Sequence, residues 1–252
     1  MRGKEFSSDK VIEVTELTKK FGSFKAVDNI TFDVYKGEIF GFLGANGAGK
    51  TTAMRMLSGL LIPTSGQAVV AGYNVRKSPD KVKQNIGYMS QRFSLYDDLT
   101  VKENIRLFGG IYGLSKSELS TKQDDILNKL ELINEKDTLV KSLPLGWKQK
   151  LAFSIAMIHN PKVVFLDEPT GGVDPVTRRK FWELIYQAAE AGTTLFVTTH
   201  YMDESEYCDR VSIMVDGEIK ALASPRDLKA KFGKESMQEV FHYLARGVKR
   251  TE

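Results

Sequence analysis

Gly44-Ala45-Asn46-Gly47-Ala48-Gly49-Lys50-Thr51-Thr52 reads G-x-x-x-x-G-K-T, and this stretch decides the fold. Ahead of it runs Ile39-Phe40-Gly41-Phe42-Leu43, with the length and composition of a buried strand. Behind it comes Ala53-Met54-Arg55-Met56-Leu57, which is compatible with a helix. A glycine turn alone would join any strand to any helix. Strand, glycine loop and helix in this order form the context of a phosphate-binding loop. The glycines let consecutive backbone N–H groups turn toward one anion, and the helix N-terminus adds its positive end. Lys50 is expected to reach the β- and γ-phosphates, and the Thr51 hydroxyl to ligate Mg²⁺.

Outward from the loop, Val11 to Leu17 and Ile30 to Val34 alternate as strands do, and Gln67 to Gly72 and Asn85 to Ser90 are short strands. From about residue 93 to 160 the pattern turns helical, with helices expected over Leu99 to Tyr112, Ser117 to Leu132 and Trp147 to His159. Strand and helix then alternate again through Val163 to Leu166, Pro175 to Ala191 and Thr194 to Thr198. Val211 to Val215 and Ile219 to Ala223 form a hairpin around Asp216-Gly217. Asp174-Pro175 and Ser224-Pro225 each pair an N-cap with a first-turn proline. Such alternation predicts an α/β fold: a phosphate-loop core with a mainly parallel sheet, an N-terminal antiparallel β part and an inserted helical subdomain.

The bulk numbers narrow the function classes. The 252 residues suffice for a full core. A net charge of +4 is too mild for a nucleic-acid binder, which would carry clustered basic stripes. One cysteine, Cys208, leaves no partner for an internal disulfide and suits a reducing compartment. No apolar run approaches the ~18 residues of a membrane span. Met1 to Lys10 is polar, without the apolar centre of a signal peptide, and reads as a frayed tail.

A second constellation gives the chemistry. Val163-Val164-Phe165-Leu166 run straight into Asp167-Glu168-Pro169-Thr170. A carboxylate at the C-terminal end of a buried strand stands where open α/β sheets bind ligands. Asp167 is a candidate Mg²⁺ ligand, and Glu168, pointing differently, a candidate general base for an attacking water.

With both motifs in place, the sequence from about Val11 to Leu228 resembles the ATP-binding subunit of ABC transporters. The resemblance implies further roles. Gln91, in Tyr88-Met89-Ser90-Gln91, matches the glutamine that senses Mg²⁺ and the attacking water. It opens a loop that faces a membrane partner; Arg92, Phe93 and Tyr96 are expected to line that groove. Asp174 matches the loop that crosses a dimer interface. His200, in Val197-Thr198-Thr199-His200, matches the histidine that touches the γ-phosphate. Phe21, in Lys19-Lys20-Phe21-Gly22, matches the aromatic that stacks on adenine. His159 and His242 lack such context and read as structural.

The chain departs from the family at one segment. Where ABC ATPases place Leu-Ser-Gly-Gly-Gln, this sequence has Leu143-Pro144-Leu145-Gly146-Trp147. In the family the segment reaches a partner's γ-phosphate. Pro144 offers neither hydroxyl nor N–H; Gly146 retains an N–H for contact in trans. The variant resembles exporters of drug-efflux type. The resemblance thus implies one ATPase domain over 1–252: an α/β lobe at 1–92 and 161–230, a helical subdomain at 93–160, and a C-terminal helical tail at 231–252. It further implies ATP and Mg²⁺ as cofactors, a second ATPase subunit as homodimer or heterodimer, and separate permease subunits, with no nucleic acid. The place implied is the cytoplasmic face of the inner or plasma membrane, and the cargo drug-like, lipid or otherwise hydrophobic. Two alternatives stay open. One is a soluble ABC ATPase acting on ribosomes or DNA, disfavoured because about 90 residues and no heptad run separate the phosphate loop from the signature segment. The other is a nucleotide-binding regulatory module with little turnover, which Glu168 disfavours and Pro144 favours.

Overall fold

The computed structural model describes residues 8–91 and 95–246. Residues 1–7 of the expected tail, Arg92 and Phe93 of the expected groove, and the last six residues lie outside the described residues. Lys10, expected in the frayed tail, instead opens the first strand, and its ammonium lies 2.8 Å from the Asp33 carboxylate.

Two sheets form the frame. The first is antiparallel, in the order β2-β1-β4-β5: β1 (Lys10–Phe21), β2 (Phe24–Tyr35), β4 (Ser65–Val70) and β5 (Tyr73–Asn74). The second has the order β10-β9-β3-β8-β7-β6. Its members are β3 (Ile39–Leu43), β6 (Ile86–Met89), β7 (Val163–Asp167), β8 (Thr194–Thr199), β9 (Arg210–Val215) and β10 (Glu218–Ala223). From β9 across to β6 every pairing is parallel; only β10 returns antiparallel, through the Asp216-Gly217 turn.

The apolar runs of β3 and β7, and the Leu195-Phe196-Val197 centre of β8, now have a reason. Each is buried on both faces, and period-two alternation deals its side chains to two different cores. Phe40, Phe42, Val163, Phe165 and Phe196 face the antiparallel sheet. Ile39, Leu43, Val164, Leu166, Leu195 and Val197 face the helices. The first set closes an aromatic cluster in which Phe196 lies 5.2–5.5 Å, ring centre to centre, from Phe42, Phe165 and Phe40. Each such ring contributes roughly 2–3 kcal/mol by burial.

The helices are α1 (Lys50–Leu57), α2 (Pro79–Asn85), α3 (Val101–Ile111), α4 (Lys116–Lys129), α5 (Leu145–Ala156), α6 (Pro175–Glu190), α7 (Pro225–Phe232) and α8 (Met237–Arg246). Thr100 and Ser115 start α3 and α4 with full capping boxes, closed by Glu103 and Glu118. Asp174 and Ser224 cap α6 and α7 as expected. Three details correct the sequence reading. The helix α2 went unforeseen; it is seven residues long and buries only Val82, so its apolar signal is slight. The short strand β5 was also missed. And α5 begins at Leu145, two residues before Trp147, with Pro144 in the cap position and no side-chain cap bond.

Candidate active site

Parallel strands place their C-terminal ends along one edge of a sheet, and four of those ends carry the candidate residues. The phosphate loop follows β3, Gln91 follows β6, Asp167 and Glu168 end β7, and His200 follows β8. Register sets their depth: Leu43 is opposite Thr199, Asp167 opposite Thr198 and Met89 opposite Leu166. Residues from positions 43 to 200 in the chain thereby meet at one edge.

The loop itself is wedged from two sides. Gly49 has φ 103°, and a Cβ on it would stand 2.3 Å from the Ala26 carbonyl oxygen of β2. Only glycine meets both demands. On the other side, the Gly217 amide of the β9–β10 turn donates to the Ala48 carbonyl at 3.0 Å. Lys50, 5% exposed, folds back so that its ammonium donates to the Gly44 and Ala45 carbonyls at 2.8 and 3.1 Å. Burial pushes its pKa below the usual lysine value, while Glu168 and Asp167 pull it up.

Asp167 and Glu168 are adjacent and held quite differently. Asp167 is buried. Its Oδ1 accepts the Thr198 hydroxyl at 2.6 Å and its Oδ2 the Thr51 hydroxyl at 3.3 Å. Burial pushes its carboxyl above the usual range, and the Thr198 bond opposes that. Glu168 adopts φ 49°, a left-handed conformation that a side chain makes costly. Its amide donates to both the carbonyl and the hydroxyl oxygen of Thr198, at 3.1 Å each. The turn aims its carboxylate away from Asp167 and into the other candidates. Gln91 Nε2 donates to Glu168 Oε2 at 2.9 Å, His200 Nδ1 lies 3.0 Å from the same oxygen, and Lys50 Nζ lies 3.8 Å from Oε1. The His200 contact is close without hydrogen-bond alignment.

The donors at Asp167 fit a hard cation that keeps waters and phosphates about it: a carboxylate oxygen and the Thr51 hydroxyl meet there, and the Gln91 amide is bonded to the adjacent Glu168. Among the described residues no group of three or more His, Cys, Asp and Glu side chains forms a metal cage.

Phe21 sits at the end of β1, opposite Phe24 across the hairpin, half exposed, with the Lys19 ammonium 5.2 Å from its ring centre. That hairpin leads directly to Ala26, against which Gly49 packs. Gly146 and Asp174 are elsewhere. With Pro144, Trp147, Lys150 and Thr177 they line a cleft between the start of α5 and the start of α6. The Gly146 Cβ position is 2.5 Å from the Thr177 methyl, so helix contact as well as any ligand requires glycine. Asp174 Oδ1 accepts the amides of Val176 and Thr177 at 3.0 Å; the Thr177 side chain first, and then these amides, hold its carboxyl below the usual range. Trp147 packs against the helix-side core. His159, taken as structural, stacks on Tyr112 with ring centres 3.8 Å apart.

Sequence reasoning missed Thr198, whose hydroxyl organises Asp167 and the Glu168 amide. The available signal was the pair of adjacent hydroxyl residues, Thr198 and Thr199, that ends a buried strand just before His200. It also missed Glu204, 0% exposed, which gives no signal in a run of exposed-looking polar residues.

Known proteins can now be set beside this geometry. The family profile described as ABC transporter matches residues 27–171. The Probable multidrug ABC transporter ATP-binding protein YbhF of Escherichia coli (strain K12) is 50% identical over 221 residues, which are 88% of this chain and 38% of YbhF. The chain thus spans well under half of that relative. The Linearmycin resistance ATP-binding protein LnrL of Bacillus subtilis (strain 168) is 36% identical over 228 residues, 90% of this chain and 73% of LnrL. A solved ATP binding subunit of an ABC transporter superposes with TM-score 0.84 at 28% identity, covering 93% of this chain and 99% of its own.

Proposed function

The chain belongs to the ABC transporter family, and from that premise we propose that it binds ATP with Mg²⁺, hydrolyses it at a dimer interface and drives separate permease subunits. The observation that carries the reading is the Glu168 carboxylate, bonded by Gln91 with His200 and Lys50 close beside it at the phosphate loop.

Lys50 leaves the Gly44 and Ala45 carbonyls and pairs with the β- and γ-phosphates, alongside the amides of Gly44 to Thr52. Phe21 stacks on adenine. Thr51, Asp167 and the Gln91 amide oxygen would hold Mg²⁺, whose charge offsets that developing on the phosphoryl oxygens. Gln91 and His200 orient a water in line with the γ-phosphorus, and Glu168 accepts its proton as the new P–O bond forms and ADP departs. From the second subunit, Gly146 at the α5 N-terminus faces the γ-phosphate and Asp174 lies at the dimer interface. Because Pro144 lacks the serine hydroxyl, two identical chains make a slow pair. A partner with a standard signature makes a faster one on this chain's Glu168.

Among the described residues no helix is long and apolar enough to cross a membrane. We place the chain peripherally, on the cytoplasmic face. The contact surface for the permease lies beyond Gln91. There Tyr96 is 55% exposed, its ring 6.1 Å from Phe108, and Leu107 and Ile111 are exposed one turn apart on α3. Buried Asn104 pins this loop, accepting the Tyr96 amide and donating to the carbonyls of Tyr96, Leu99 and Thr100. The cargo we propose is an exported drug-like, lipid or other hydrophobic compound, and the names of YbhF and LnrL support the drug-like part.

The test is ATP turnover by the purified chain, alone and with its permease. Hydrolysis that Glu168→Gln removes while a fluorescent ATP analogue still binds is the expected result. Undiminished turnover in that variant would remove Glu168 from the role.

A further inference from the structure

We propose that Glu204 is a positioning residue that sets His200 against Glu168 and ties both to the helix behind Asp174. This rests on the reading above, in which His200 acts beside the γ-phosphate.

Glu204 opens a 3-10 turn, Glu204–Tyr207, four residues after His200, and its side chain is fully buried. A buried carboxylate is tolerated only when its oxygens are paired. Three partners come from three different segments of the site. The Thr199 hydroxyl donates to Glu204 Oε2 at 2.6 Å. The Thr170 hydroxyl donates to Glu204 Oε1. Arg178 Nε stands 3.6 Å from that same oxygen without hydrogen-bond alignment, while its Nη1 lies 3.4 Å from Asp203.

Each partner is a near neighbour of a candidate functional group. Thr199 immediately precedes His200. Thr170 is two residues after Glu168 and heads the loop to Asp174. Arg178 is one helical turn beyond Asp174 in α6. Thr199 also accepts the Tyr201 amide at 3.0 Å, and the Arg178 guanidinium lies 4.3 Å over the Tyr201 ring. The Tyr201 ring in turn sits 4.2 Å from the His200 imidazole. His200 itself is over a third exposed and only close to Glu168, not aligned with it. Its backbone and neighbours are therefore what place it, and Glu204 is the group on which those neighbours converge. A carboxylate that served the core alone would have no reason to bond the residues flanking both His200 and Glu168.

Glu204→Gln keeps the volume but puts an amide N–H₂ where one threonine hydroxyl now donates, so a hydroxyl must turn. The chain has three histidines, so their Cε1–H NMR signals can be assigned with His200→Ala. In Glu204→Gln we expect the His200 signal to shift or broaden, with those of His159 and His242 unchanged. Turnover should fall about tenfold or more while affinity for a fluorescent ATP analogue stays within about twofold. The double variant His200→Ala, Glu204→Gln should be no slower than His200→Ala alone, because both losses pass through one group. Thr199→Ser should retain turnover that Thr199→Val loses. An unmoved His200 signal in folded Glu204→Gln, or losses that add in the double variant, overturns the proposal. If Glu204→Gln does not fold, Thr170→Val removes a single bond and carries the same readings. A wild-type chain without ATPase would sink the function proposed above, yet the His200 signal would still decide this one.

Discussion

The edge of the parallel sheet and the cleft at the start of α5 hold the two halves of one expected reaction, and they are built in opposite ways. At the sheet edge the groups are already in contact: Gln91, His200 and Lys50 all lie within 3.8 Å of the Glu168 carboxylate. Buried strands in fixed register hold them there. At the cleft, Pro144 contributes no donor, Asp174 caps its own helix, and Leu145 lies 3.5 Å from the Cβ position of Gly172. A site anchored in a two-sided core is complete in one chain. A site at helix starts on the surface depends on what docks against it.

The sharpest break of this contrast is at the sheet edge. Lys50→Ala should abolish binding of a fluorescent ATP analogue. Glu168→Gln should retain binding, lose roughly 10²–10⁴-fold in turnover and accumulate an ATP-bound dimer visible by light scattering. Near-normal turnover in folded Glu168→Gln would remove that carboxylate from the chemical step.

Next in size is the cleft. Pro144→Ser with Leu145→Gly restores a charge-assisted bond of roughly 1.5–3 kcal/mol, so basal ATPase should rise about ten- to a hundredfold. No rise, with dimerisation confirmed, would mean that the segment does not limit hydrolysis.

Smaller still is the effect of the adenine contact. Phe21→Ala should weaken ATP about tenfold, within the roughly 1–3 kcal/mol of one base stack, and Phe21→Trp should not. Equal affinities in isothermal titration would return Phe21 to plain surface packing.

The smallest effect concerns protons. The Asp167 carboxyl titrates above its unfolded value, so between the two the native state holds more protons, and stability without nucleotide falls as pH rises through that window. Asp167→Asn should remove this slope and raise stability at neutral pH by about 1 kcal/mol, while weakening Mg²⁺-dependent nucleotide binding. Thermal unfolding across pH measures the first effect and titration with Mg²⁺ the second. A variant less stable than the wild type at neutral pH would assign the cost of burying that charge elsewhere.

Legibility in the sequence followed the same contrast. The strands β3, β7 and β8 and the motifs at their ends could be read because each lies in one contiguous stretch whose residue types have few other uses. Thr198 and Glu204 could not, because threonine and glutamate are common and their importance comes from partners 31 and 34 residues away. The α5 start was misplaced by two residues because Pro144 caps it without a side-chain bond, leaving no polar cap to read. The Ser78-Pro79 pair that opens α2 has the same form as the pairs at 174 and 224, but its helix carries almost no apolar face.

The wedge around Gly49 has a consequence for time rather than for energy. Because the Ala26 carbonyl stands beside both Gly49 and Gly217, the hairpin that bears Phe21 and the loop that bears Lys50 cannot shift independently. On the function proposed above, the chain would work as a ruler of fixed length between a base and its phosphates. A ligand of the right span would be accepted on arrival, and one that is too short could not occupy both ends. Capture should then be fast and simple, and the proposed meeting and parting of subunits would supply the slow steps of the cycle.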